Sequence, residues 1–127
     1  MKKNNLFIVV VAVFSMMSCG KKTEKEDFGT SATVVLVSAE LGKTLFEGKG
    51  TCVACHNPDT KIIGPSIIEI ASIYKEKKGD LVAFLKGKGE PIVDASQYEI
   101  MKANFTITKN MTDEELESIK LYINSFN

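Results

Sequence analysis

The chain has 127 residues, 44% of them hydrophobic, and its 16 basic and 16 acidic residues balance at neutral pH. This length accommodates one small domain together with short terminal segments. The balanced charge and the complete absence of arginine argue against nucleic-acid binding, which relies on clustered basic side chains.

The first twenty residues combine a short apolar run with a cysteine. Two lysines precede the apolar residues 6–14, a run too short to span a bilayer as a finished helix. The following Met16-Met17-Ser18-Cys19-Gly20 resembles the lipobox of bacterial lipoprotein signal peptides. This resemblance implies removal of residues 1–18, lipidation of Cys19 and a flexible tether over residues 19–38. The alternative is an ordinary secretory signal, and either one exports the protein from the cytoplasm.

Three helices are predicted in the next part of the chain. Ser38 is the predicted N-cap of a first helix that ends near Gly48. A second helix begins after Gly64-Pro65 and ends near Lys78, because apolar residues recur there at helical spacing. A third helix begins after Asp80 and is stopped by glycines.

The C-terminal part contains the clearest helix. Residues 91–110 are predicted to be mostly loop, with one helical turn near residues 96–100. Thr112-Asp113-Glu114-Glu115 is a capping box, in which threonine and the second glutamate satisfy each other's backbone donors. The predicted buried face of this last helix is formed by Leu116, Ile119, Ile123 and Phe126.

Cys52-Val53-Ala54-Cys55-His56 is the most informative stretch of the chain. C-x-x-C-H is the signature of covalent c-type haem attachment, in which each thiol adds to a porphyrin vinyl group. A thioredoxin-like dithiol would need a βαβ pattern, and none precedes Cys52. A zinc site needs about four ligands, and the chain has one histidine and three cysteines. We therefore predict one haem c, bound covalently through Cys52 and Cys55.

Several motifs, in their order and spacing, make residues 39–127 resemble the small class I monohaem cytochromes c of bacteria. The motifs are Gly42, Phe46, residues 52–56, residues 59–65, residues 101–104, residues 112–115 and Tyr122. The resemblance implies an all-α class I cytochrome c fold, with about four short helices wrapped around one covalent haem. It also implies that the first and last helices cross, with Gly42, Phe46 and Tyr122 at the contact.

The resemblance further implies two axial ligands for the haem iron. One is His56, and the other is a methionine from the loop before the last helix. Met101 stands 45 residues after His56 and is the favoured ligand, whereas Met111 directly precedes the helix cap and is the less favoured alternative. The carbonyl of Pro65 is expected to accept a hydrogen bond from His56 and so to orient its ring.

A haem with histidine and methionine ligands has no open position for a substrate, so we predict an electron carrier rather than an enzyme. The expected partners are a quinol-oxidising complex as donor and a terminal oxidase or reductase as acceptor. The expected location is the periplasmic side of a bacterial membrane, held there by the lipid anchor or, without one, soluble in the periplasm. The alternatives are a haem-bearing subunit of a larger respiratory complex and, if the methionine ligand is absent, a haem enzyme or gas-binding protein.

Overall fold

The computed structural model describes residues 36–127, and the predicted signal peptide, Cys19 and most of the predicted tether lie outside these residues. Six helices form the described part: α1 Ala39–Glu47, α2 Ile67–Lys77, α3 Leu81–Leu85, α4 Tyr98–Lys102, α5 Phe105–Thr108 and α6 Asp113–Asn124. Single turns of 3₁₀-helix occupy Cys52–Ala54 and Ala95–Gln97. Over residues 36–127 there is no β-strand, and the predicted all-α fold is confirmed.

Helices α1 and α6 form the central packing contact of the fold. The Ser38 hydroxyl accepts a hydrogen bond from a first-turn backbone N–H and so caps α1. A Cβ atom on Gly42 would lie 1.9 Å from the Ser118 carbonyl oxygen, so only glycine permits this close approach of the two helices. The rings of Phe46 and Tyr122 meet edge to face at a centroid distance of 5.4 Å. The predicted contact between the first and last helices is therefore confirmed.

Helix α6 begins with the predicted capping box, since both Thr112 and Glu115 make their reciprocal hydrogen bonds. Its buried residues are Leu116, Ser118, Ile119 and Ile123. The prediction placed Phe126 on this face and omitted Ser118, whereas Phe126 is only partly buried and Ser118 is fully buried. Because α1 approaches so closely, Ser118 is enclosed, and its hydroxyl donates to the Glu114 carbonyl at 2.7 Å.

Helices α2 and α3 both pack against α6. Ser66 caps α2 and Asp80 caps α3, each by accepting a hydrogen bond from a backbone N–H. Helix α2 ends at Lys77, because the next residue, Lys78, has a left-handed φ of 51°. The buried residues of these two helices are Ile67, Ile70, Ala71, Tyr74, Leu81 and Leu85.

Residues 91–110 contain more helix than the sequence predicted. The structure has a 3₁₀ turn, α4 and α5 in this range, where a loop with one helical turn was expected. Each element is only three to five residues long, too short for a helical period to appear. Their position depends on tertiary packing, because Tyr98 and Phe105 contact the Phe84 ring at centroid distances of 6.2 and 5.4 Å.

None of the helices between residues 36 and 127 has both the length and the apolar character needed to cross a bilayer.

Candidate functional site

A cavity of about 410 Å³ lies inside the helical shell, and five of the six helices contribute to its walls. Its volume falls in the range of about 300–1,000 Å³ that is usual for ligand and cofactor pockets. The predicted site residues that line it are Cys52, Cys55, His56, Pro65 and Met101. The fold therefore brings together residues that are up to 49 positions apart in the sequence.

The haem motif, residues 52–56, is held in a tight turn at one wall of this cavity. Thr51 precedes it with a left-handed φ of 53°, a conformation that costs free energy for a β-branched residue. The His56 backbone N–H then bonds to the Cys52 carbonyl at 2.9 Å. This turn places Cys52, Cys55 and His56 on the wall of the same cavity.

Neither motif cysteine forms a disulfide bond with another described residue. The Cys52 side chain is buried, and its Sγ donates to the Gly50 carbonyl at 3.4 Å. Burial raises the pKa of the Cys52 thiol to about 11, so the group stays a neutral S–H at pH 7. Cys55 is less buried. The chemistry of this pair fits addition of two S–H groups across porphyrin vinyls.

The imidazole of His56 is oriented by the chain that follows the motif. Its Nδ1 lies 2.7 Å from the Pro65 carbonyl oxygen. Because a carbonyl can only accept, Nδ1 must donate its proton there, and the lone pair of a neutral ring is left on Nε2. A Cβ atom on Gly64 would lie 2.5 Å from His56 Cε1, so glycine is needed for the backbone to approach the ring. His56 is thus prepared to bind a metal ion through Nε2.

Backbone hydrogen bonds fix the loop that carries Pro65. The Gly64 N–H donates to the Cys55 carbonyl and the Ile67 N–H donates to the Asn57 carbonyl, both at 2.9 Å. These bonds connect the start of α2 directly to the haem motif. The position of His56 therefore depends on contacts made within about ten residues of the chain.

The two candidate methionines lie in different surroundings. Met101 belongs to α4, is partly buried and lines the cavity. Met111 is only 5% exposed, packs in the hydrophobic core and is not among the described residues that line the cavity. Of the two, Met101 is the one placed where a thioether sulfur could reach a cofactor inside the cavity.

Asp94 is a residue of the cavity wall that the sequence analysis missed. It pairs with Lys61 (Nζ to Oδ2, 2.9 Å) and also accepts hydrogen bonds from the Ser96 hydroxyl and N–H. The bonds from Ser96 and the Lys61 ammonium hold the pKa of the Asp94 carboxyl at about 2. The Asp94-Ala95-Ser96 sequence is typical of an Asx turn, so the bonds between Asp94 and Ser96 could have been predicted from the sequence.

Asn104 is a second residue whose role was missed. Its side-chain Nδ2 donates to the Gly50 carbonyl at 3.1 Å, and its Oδ1 accepts from the Thr51 hydroxyl at 3.3 Å. Both partners immediately precede Cys52. No local pattern could indicate this contact, because the bonded residues are more than fifty positions apart.

Aromatic side chains form part of the cavity wall. Tyr74 and Phe84 both line the cavity, and their rings meet edge to face at 6.4 Å. Burial raises the pKa of the Tyr74 phenol above its ordinary value, so the group is neutral at physiological pH. The wall therefore presents a large uncharged surface that suits a flat apolar group.

Comparison with known proteins gives one family and one relative. The family model described as cytochrome c matches residues 39–127. Cytochrome c-552 of Nitrosomonas europaea is 38% identical over 61 residues, which is 48% of this chain and 57% of that protein. The chain thus matches little more than half of the length of this relative.

Proposed function

Because the chain belongs to the cytochrome c family, we propose that it is a single-electron carrier whose haem iron is bound by His56 and Met101. The Cys52/Cys55 spacing within the family's domain implies a covalently attached haem c. Membership of this family makes the chain an electron-transfer protein rather than an enzyme. The observation that carries the ligand assignment is the cavity with His56 and Met101 in its walls.

The residues around the cavity explain how such a carrier would work. A bound haem supplies an iron that alternates between the ferric and ferrous states. His56, oriented by the Pro65 carbonyl, offers a basic nitrogen, while the Met101 thioether favours ferrous iron and raises the reduction potential. Two protein ligands leave no position for a substrate. The apolar walls limit water near the iron and so reduce reorganisation on electron transfer.

The cavity mouth is a candidate docking surface for redox partners. Ile63 and Ile100 both line the cavity, yet they are 53% and 57% exposed. Adjacent charged residues are paired, since Lys61 contacts Asp94 and Lys102 contacts Glu99. We infer that partner redox proteins dock here mainly through apolar contact, with association rates that depend only weakly on ionic strength.

The wider setting is proposed from the sequence. Residues 1–18 would be a lipoprotein-type signal, residues 19–38 a tether lipidated at Cys19, and residues 39–127 the cytochrome c domain. The carrier would then work on the outer side of the cytoplasmic membrane, between a quinol-oxidising complex and a terminal oxidase or reductase. A tether raises the effective concentration of a carrier near membrane-bound partners. Mass spectrometry of the mature N-terminus tests this arrangement.

The ligand assignment is tested with two methionine variants of the haem-loaded protein. Met101→Ala should lower the midpoint potential, abolish the weak near-infrared sulfur-to-iron band of the ferric protein and allow the ferrous protein to bind carbon monoxide. Met111→Ala should leave all three properties unchanged, although loss of a buried side chain should destabilise the fold by about 2–5 kcal/mol.

Three results would contradict the proposal. Iron-ligand changes in Met111→Ala alone would reverse the ligand assignment. Fast carbon monoxide binding by the wild-type protein at neutral pH would favour a gas-binding protein or haem enzyme instead. Copurification in fixed stoichiometry with other respiratory proteins would indicate a complex subunit rather than an independent carrier.

A further inference from the structure

Residues 94–104, here called the Met101 segment, are attached at both ends to residues that flank the haem motif. At the front end, Asp94 pairs with Lys61, five positions after His56. At the rear end, the Asn104 side chain bonds to Gly50 and Thr51, directly before Cys52. The segment that carries the candidate sulfur ligand is therefore fastened to both sides of the motif that carries the histidine.

Both residues of the front attachment, Asp94 and Lys61, are themselves bonded to ordered backbone. The Asp94 carboxylate also caps the Ala95–Gln97 turn, which continues directly into α4 and Met101. On the other side, the Lys61 backbone forms an antiparallel bridge with His56. The ion pair thus connects the backbone next to the histidine with the start of the helix that carries the methionine.

The rear attachment involves a strained residue. Thr51 has a left-handed backbone, and its hydroxyl donates to Asn104 Oδ1. Asn104 Nδ2 donates in turn to the carbonyl of Gly50. Hydrogen bonds from one side chain to two consecutive residues stabilise this turn and fix the end of the Met101 segment against it.

The segment depends on tertiary contacts, the packing of Tyr98 against Phe84 and the two polar attachments, because it has little structure of its own. Helix α4 has five residues, none of them buried. A helix of this length is far below the length at which helices are stable in water, so its position must come from tertiary contacts.

We propose that Lys61, Asp94 and Asn104 are positioning residues that hold the Met101 sulfur at the haem iron. This inference rests on the ligand assignment proposed above. With either attachment removed, the segment moves more freely, and the fraction of molecules with the sulfur detached rises. The His56 ring keeps its own orientation, because its contact with the Pro65 carbonyl does not involve the segment.

The front attachment is tested by two substitutions with opposite charge changes. Asp94→Asn removes a negative charge and Lys61→Met removes a positive charge, yet both break the ion pair. If the ion pair positions Met101, both variants should raise the fraction of molecules with the Met101 sulfur detached from the iron. We expect a rise of about two- to fivefold, the size of effect of an exposed ion pair. The measurements are the rate of carbon monoxide binding to the ferrous protein and the alkaline pH at which the ferric near-infrared band is lost. Lys61→Arg, which keeps the pair, should behave like the wild type.

The rear attachment is tested by Asn104→Leu, which keeps the side-chain size and removes both hydrogen bonds. We expect a rise of about two- to tenfold in the rate of carbon monoxide binding, because the bond to the Gly50 carbonyl is partly shielded from water. The matched control is Glu99→Gln, which breaks an exposed ion pair to Lys102 inside α4 without touching the haem motif. It should leave both measurements unchanged.

The outcomes separate this inference from the proposed function. If Met101→Ala loses the near-infrared band but the Asp94, Lys61 and Asn104 variants all match Glu99→Gln, the positioning role is wrong and the ligand assignment stands. If Asp94→Asn and Lys61→Met shift the midpoint potential in opposite directions without a change in carbon monoxide binding, the pair acts only through its charge, and positioning is again wrong. If Met101→Ala keeps the band, the ligand assignment fails and the positioning role fails with it.

Discussion

The two sides of the cavity are built in different ways. His56 is held by neighbours in sequence, through the Pro65 carbonyl, the close approach of Gly64 and backbone bonds to the motif. Met101 lies on a five-residue helix without fully buried residues, inside a segment whose ends are held by side-chain bonds to residues 33–54 positions away. Local backbone contacts hold the histidine side, whereas the methionine side depends on contacts between distant residues, namely the packing of Tyr98 against Phe84 and a few exposed or partly exposed polar contacts.

The largest effect is expected on the histidine side, from a substitution that adds a side-chain atom next to the His56 ring. Gly64→Ala places a Cβ atom within 2.5 Å of His56 Cε1, so either the ring or the backbone of residues 64–65 must move. We expect destabilisation by about 1–3 kcal/mol together with a weakened histidine bond to iron. Thermal unfolding and the visible spectrum of the haem-loaded protein measure these two effects.

Thr60→Ala is the matched control, because Thr60 lies in the same loop, is exposed and bonds only to the neighbouring Asp59. It should change neither the unfolding temperature nor the spectrum. A Gly64→Ala protein as stable as the Thr60→Ala protein, with an unaltered spectrum, would show that the histidine side is not rigid.

The same contrast explains what the sequence could predict. The haem motif, Pro65 and the capping box at Thr112 are local patterns, and the structure has both the expected bond between His56 and Pro65 and the reciprocal bonds of the capping box. The Lys61–Asp94 and Asn104 contacts join residues that are distant in sequence, so no periodicity or spacing indicates them. Helix α5 was missed, and α4 was predicted only as a helical turn near residues 96–100. Each is about one turn long and depends on packing of its aromatic residue against Phe84.

On the methionine side, the contribution of the Lys61–Asp94 ion pair to the stability of the fold should depend on pH. The folded pKa of Asp94 is about 2, below the ordinary 3.8, so its carboxylate stabilises the fold above that ordinary value, and this contribution is lost as the pH falls towards 2. The Lys61 pKa is raised above 10.5 by Asp94, so its contribution is present below that value and is lost only at higher pH.

The stability difference between wild type and Asp94→Asn should therefore be constant from about pH 5 to about pH 9 and should shrink below about pH 4. Denaturant unfolding at a series of pH values measures this difference. A difference that instead grows on acidification would mean that the carboxyl is protonated in the folded protein and that the ion pair is not formed as described.

The central claim is the covalent attachment of one haem to Cys52 and Cys55, and the most direct measurement is the intact mass of the denatured protein from cells able to mature c-type haem. We predict the mass of the mature chain plus one haem, and loss of this added mass in the Cys52→Ala, Cys55→Ala double variant. A wild-type mass equal to that of the polypeptide alone would contradict the account.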